Sequence, residues 1–245
     1  MISINGLDKF RDFFSGFHAN YVLIGGTACA VIFHEIGEKF RSTKDLDVVL
    51  IVENLNEEFG NKFWEFIKSA EYVIEADREK RCFYRFKNPG NNEYPKMIEL
   101  FSRSQNLVLP ENVHTTPIHI ADEISSLSAI LLNDDYYQFM IEGKRIVDGI
   151  SVLDEEHLIP FKAKAWCELI DRRIEGEQGQ SKHIRKHCRD INNLVPLIPS
   201  NEIVKLSGMV KRDMERFIQD ILTSEYVPDD INREALYKSL RKIYL

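Results

Sequence analysis

An α/β (α+β) fold in two parts, a sheet domain over residues 1–153 and a helical domain over 154–245, is what the sequence predicts. Three observations carry it. Short runs of β-branched and aromatic residues, such as Tyr21-Val22-Leu23-Ile24, alternate with amphipathic helical segments as far as residue 153. Beyond Asp154 no convincing strand pattern occurs. That second part is instead cut into helices by capping residues, glycines and prolines.

In the first part, Leu7, Phe10, Phe13, Phe14 and Phe17 recur at helical spacing, predicting an amphipathic helix over 6–17 that packs on the sheet. The buried strand 21–24 comes next, and Gly25 and Gly26 end it. Residues 27–36 continue as a helix with small residues at its start. The polar, basic connection 37–44 delivers Arg41 and Thr43 to the entrance of a second buried strand, 46–52, where Asp45 and Asp47 stand. Residues 56–70 make a helix with Phe59, Phe63, Phe66 and Ile67 on one face.

Segments 72–74 and 82–86 read as strands, the second partly alternating and so half exposed. Asn88-Pro89-Gly90-Asn91-Asn92 has turn chemistry. Residues 96–101 form another buried strand whose one acid is Glu99. A carboxylate there is costly unless a cation or hydrogen bonds satisfy it, so it serves either a site or a structural salt bridge. Segment 114–120 is expected at a sheet edge, because Pro117 cannot donate to a ladder. His114 and His119 are too far apart to share a face, and neither reads as a ligand. A helix is expected over 121–132. The apolar runs 136–141 and 143–153 either close the sheet region or bridge to the helical domain.

In the second part, Asp154 caps a helix reaching residue 174, and Gly176-Glu177-Gln178-Gly179-Gln180 breaks it. Ser181 caps the next helix, which Pro196 and Pro199 end; 201–222 and 230–244 make two more, giving a small bundle. Stepping 100° per residue along 154–174, Leu158, Ile159, Ala165, Trp166, Leu169 and Ile170 define one apolar face. Lys162 falls near its middle and Lys164 on the far, polar side. A lysine centred on an apolar stripe either snorkels past its neighbours or reaches an anion. On the next helix His183, His187 and Asp190 share one edge, a spacing that serves metal ligation or a hydrogen-bonded packing edge. Arg172, Arg173, Lys182, Arg185, Lys186 and Arg189 form the most basic tract, either a solvated face or a docking surface for a phosphate-rich acceptor.

Composition sets the outer limits. At 245 residues, with 44% hydrophobic and 29% charged content, the chain can bury ample core, and nothing suggests disorder. No run of about 18 apolar residues occurs, so no membrane span is expected. The first residues lack a charged-then-apolar pattern, so no signal peptide is expected. Cys29, Cys82, Cys167 and Cys188 are scattered without a Cys-x-x-Cys pair, which predicts reduced thiols and a cytoplasmic location. A net charge of −7 argues against unspecific coating of nucleic acid.

The chemistry concentrates between residues 25 and 47. Glycines after a strand let a phosphate approach without meeting a Cβ, and the unpaired amides opening a helix favour an anion. Asp45 and Asp47, two apart on a strand, point the same way. Two such carboxylates beside an anion-binding turn suit a pair of magnesium ions bridging a triphosphate.

Gly25-Gly26-Thr27, a helix, and then Arg41-Ser42-Thr43-Lys44-Asp45-Leu46-Asp47 on a strand resemble the signature of the polymerase-β-type nucleotidyltransferase superfamily. More narrowly the chain is similar to AbiEii-type toxins of abortive-infection and toxin–antitoxin systems. Lys162 with Ala165, and Lys186, His187 and Asp190 as a Lys-His-x-x-Asp run, extend the resemblance across most of residues 20–195. The resemblance implies a mixed-sheet catalytic domain, two Mg2+ ions on Asp45 and Asp47, and Glu99 as a third acid where aspartate is commoner. It further implies phosphate seating by Gly25, Gly26, Thr27, Arg41 and Thr43, with Lys162 on the triphosphate. The reaction implied is transfer of a nucleoside monophosphate from a nucleoside triphosphate to an acceptor hydroxyl, on tRNA or another RNA, in a toxin restrained by an antitoxin. Two alternatives stand beside it: a small-molecule, aminoglycoside-type nucleotidyltransferase, and a catalytically inactive nucleotide- or protein-binding relative.

Overall fold

The structure is a computed structural model that describes residues 4–76, 83–102, 116–117 and 133–245. The expected helix over 121–132, His114, His119 and Cys82 lie outside the described residues. Two compact units emerge, Met1–Ile120 with Lys144–Leu153, and Ala121–Gly143 with Asp154–Leu245. The fold is mixed α/β, with the C-terminal segment helical.

In the first unit eight described strands form one sheet: β1 (Tyr21–Ile24), β2 (Asp45–Leu50), β3 (Val73–Ala76), β4 (Phe83–Lys87), β5 (Met97–Phe101), β6 (Thr116–Pro117), β7 (Lys144–Val147) and β8 (Ile150–Leu153). Their order is β6-β3-β4-β5-β2-β1-β8-β7. The sheet is mixed: β2 runs parallel to β5 and antiparallel to β1, and β4 runs antiparallel to β5. The Pro117 strand lies at one edge, as a residue without an N–H requires.

Directly opposed residues project to the same face of a sheet. The register therefore puts Tyr21, Val48, Leu50, Tyr84, Phe86, Ile98 and Leu100 on one face. Helices α1 (Leu7–Phe13) and α3 (Glu57–Ser69) supply the aromatic side chains against it. Phe10 meets Tyr21 edge-on with ring centroids 5.3 Å apart, and Phe63 meets Phe86 at 5.6 Å. Asn56 caps α3 by accepting from the Phe59 amide at 2.8 Å, so a short side chain fixes where the helix begins. Helix α2 (Gly25–Glu35) starts at the glycines, two residues before the expected Thr27.

The second unit contains helices α4 (Asp134–Glu142), α5 (Glu155–Ile174), α6 (Ser181–Leu194), α7 (Gly208–Asp220) and α8 (Arg233–Tyr244). Asp154 caps α5, accepting from the His157 amide at 2.8 Å. Pro160 sits inside α5 and brings no N–H to the carbonyl of Glu156 four residues back; the Tyr244 hydroxyl donates to that carbonyl instead, at 2.7 Å.

Three expectations are corrected. Gln180, not Ser181, is the N-cap of α6, and Ser181 is its first residue. The helix expected from 201 begins only at Gly208, because Val204 bonds to the Ile243 carbonyl (2.8 Å) and Asp135 accepts from the Met209 amide (2.7 Å). The last helix starts at Arg233, where Asn232 caps it through the Ala235 amide, rather than at Asp230. Of the two runs left open, 136–141 is helical, capped by Asn133, and 144–153 forms the β7–β8 hairpin of the sheet. Among the described residues no helix is long and apolar enough to cross a membrane.

Candidate active site

The face of the sheet opposite the aromatic cluster carries charge. Asp47 of β2 stands opposite Glu99 of β5, and Glu99 stands opposite Arg85 of β4. One cross-strand row therefore reads Arg85, Glu99, Asp47, ending on Ile24 at the tip of β1. Asp45 lies two residues before Asp47 on the same face.

The Gly-Gly-Thr turn is shaped by that row and by the segment leading into it. Gly25 has φ +67°, and a Cβ there would collide with Asp47 Oδ2. A Cβ on Gly26 would lie 2.9 Å from Thr43 Oγ1 and 3.5 Å from a terminal nitrogen of Arg41. Thr27, fully buried, donates its hydroxyl to the Asp45 backbone carbonyl at 2.6 Å. Each residue of the turn thus lies close against the 41–47 segment. Glycine is required at 25 on two counts, the left-handed backbone and the carboxylate against its Cα.

Electrostatics bind the row together. Arg85 donates from Nε to Glu99 Oε1 at 3.0 Å, and its Nη2 lies 2.9 Å from the same oxygen in an ion pair whose side chains are 16% and 12% exposed. Burial pushes the Glu99 carboxyl above its ordinary range and the Asp45 charge adds to the push, while Arg85 and a hydrogen bond from Asp47 pull the other way without cancelling it. Asp47 and Glu99 stand directly opposite across the strand pair, and a shared proton or a cation would relieve the repulsion between their like charges. Hard oxygen donors on one face, beside glycines that admit an anion, therefore fit a divalent metal such as Mg2+. Asp45 acts on Glu99 through its charge. Among the described residues the one group of three whose ligand atoms lie within 4.8 Å of one another is a different set, Asp154, Glu156 and His157. There the Asp154 carboxylate already caps α5 and holds His157 Nδ1 at 2.7 Å, at the helix end that repels cations.

Gly25, Gly26, Thr27, Arg41, Thr43, Asp45, Asp47 and Glu99 thus come together in the sheet unit. Lys162 belongs to the helical unit. It is buried on α5 as its phase predicted, and its Nζ donates to the fully buried Asp190 of α6 at 2.8 Å. Lys164 is not on an open polar face: packing of α7 against α5 brings Asp213 to 3.2 Å from its Nζ, with Glu168 at 3.3 Å, and Tyr136 donates to the same Asp213. Within the basic tract Arg189 pairs with Asp230 at 2.7 Å, and Arg185 donates to the Glu225 backbone carbonyl at 3.2 Å.

Arg85 is the residue that reading the sequence missed. Its signal was present: an arginine between Tyr84 and Phe86 must face opposite to them, on the side where a lone glutamate needed a cation.

No family model matches the chain, and neither does any curated protein. Among solved structures, JHP933 from Helicobacter pylori is similar at 13% identity over 96% of this chain and 87% of its own, with a TM-score of 0.33. The antibiotic-resistance factor ANT(2'')-Ia, whose solution structure reveals substrate-regulated conformation dynamics, is similar at 10% identity over 77% of this chain and 86% of its own, with a TM-score of 0.37. Likenesses this loose carry no argument about activity.

Proposed function

We propose that the chain is a metal-dependent nucleotidyltransferase that moves a nucleoside monophosphate from a nucleoside triphosphate to an acceptor hydroxyl. One observation carries the reading: a row of carboxylates lies directly against a glycine turn that opens a helix. Asp45, Asp47 and Glu99 would hold two Mg2+ ions, which supply charge neutralisation on the phosphates and a more acidic acceptor hydroxyl.

The chain's own groups do the rest. The Gly25 and Gly26 backbone, with Thr27, Arg41 and Thr43 around it, seats the phosphates at the positive end of α2. The acceptor oxygen bonds to the α-phosphorus, the bond from that phosphorus to the bridging oxygen breaks, and pyrophosphate leaves with the electron pair. Glu99, as the third acid, would take the acceptor proton on its carboxylate. Lys162 would offset charge on the departing pyrophosphate.

The finer reading rests on the resemblance: a cytoplasmic toxin acting on tRNA or another RNA and restrained by a cognate antitoxin. RNA would dock on the tract from Arg172 to Arg189. A small-molecule acceptor is favoured by the pairing of Arg189 with Asp230, which lowers the charge of that surface. Incubation with each labelled triphosphate, Mg2+ and total RNA, resolved on a gel, tests the reading. Label on RNA supports the RNA acceptor, and label lost in Asp45→Asn and Asp47→Asn assigns the transfer to this site. Label on RNA that persists in both variants removes the site assignment.

A further inference from the structure

We infer that Arg85 is a positioning residue for the acidic row, holding Glu99 by one oxygen so that the other is presented to a divalent cation. The inference rests on the metal-dependent reading of this site. Strand β4 fixes the position of Arg85: Tyr84 and Phe86 turn to the buried aromatic face, so Arg85 turns to the charged one. The register then sets it directly opposite Glu99, itself directly opposite Asp47.

The geometry of the pair separates positioning from simple neutralisation. A guanidinium that only stabilises a carboxylate spreads two N–H groups over its two oxygens, fork against fork. Here Nε donates to Oε1 and Nη2 approaches that same oxygen at 2.9 Å, so the guanidinium engages one oxygen only. A carboxylate has about four lone-pair sites, so Oε2 keeps its capacity to accept. Both side chains are largely withdrawn from water, which makes the pair more persistent than a surface one. A glutamate is one methylene longer than an aspartate and has one more torsion to fix. The arginine removes that freedom.

The experiment is Mn2+ titration, by calorimetry or by loss of the free-ion electron paramagnetic resonance signal, on wild type, Arg85→Lys, Arg85→Met and Glu99→Gln. Arg85→Met should weaken Mn2+ binding by about 10-fold or more, the size seen when a group that orients a ligand is removed. Arg85→Lys keeps the charge but lacks the fork and should fall between the two. In a Glu99→Gln background, Arg85→Met should cost no further affinity, because the residue it orients is already altered. Where Arg85→Met does not fold, the Arg85→Lys comparison decides alone. Wild-type affinity in the Arg85 variants would overturn the inference and leave the metal site standing. Tighter binding would also overturn it, since Arg85 would then be a competitor for Glu99. Absence of Mn2+ binding by the wild type would instead overturn the metal reading itself, and this inference with it.

Discussion

Substituting Lys162 separates its part in a buried ion pair from the part proposed for it in catalysis. Lys162→Met removes the ammonium and keeps most of the stem, so Asp190, with no exposed surface, loses a charge 2.8 Å away. Removing one partner of a buried pair costs about 3–5 kcal/mol. Against a typical total stability of about 5–15 kcal/mol that is a large share. At roughly 2–4 °C per kcal/mol for a chain of this size, the melting transition should fall by about 6–20 °C. The double variant Lys162→Met/Asp190→Leu removes both charges and should recover most of the loss, because an apolar pair of similar volume replaces the ionic one. Urea unfolding followed by circular dichroism reads the stabilities, and labelled-triphosphate transfer below the transition reads the chemistry. Restored stability with turnover still down by on the order of 100-fold supports a charge acting on the pyrophosphate. Restored stability with full turnover makes Lys162 a structural strut. A Lys162→Met variant within about 1 kcal/mol of wild type would refute the argument from the buried pair altogether.

Gly25→Ala should cost about 1–2 kcal/mol from its left-handed backbone and, by displacing Asp47, should also abolish Mn2+ binding and transfer. Gly16→Ala is the control: φ is +91° but nothing lies within 4 Å of the added Cβ, so stability should fall and transfer should not. Tyr244→Phe leaves the Glu156 carbonyl without its hydroxyl donor, and with Pro160 unable to replace it the expected loss is about 1–3 kcal/mol in urea unfolding. Because Glu99 holds its proton more tightly folded than unfolded, metal-free protein in EDTA should lose stability as pH rises from the ordinary glutamate value of 4.5 through the raised one. Glu99→Gln should remove that part of the slope; an unchanged slope would show that Glu99 titrates normally.

Features that depend on neighbours a few residues away were legible in the sequence. The strand 21–24, the glycine turn, the cap Asp154 and the burial of Lys162 are of this kind, because each depends on alternation, on helical phase or on a bond reaching three residues forward. That Asp45 and Asp47 share a face comes from the strand period alone. The assembled fold set the register that places Glu99 between Asp47 and Arg85, since no local pattern specifies which residues of different strands stand opposite. It also chose the partner of Lys162, 28 residues away on another helix, and it turned Lys164 from an expected solvent position into a neighbour of Asp213. The start of α7 was set the same way, by Asp135 and Ile243 from distant segments. In each case the deciding energy is a contact between groups far apart in the chain, whose closure cost is offset only once the surrounding elements have packed.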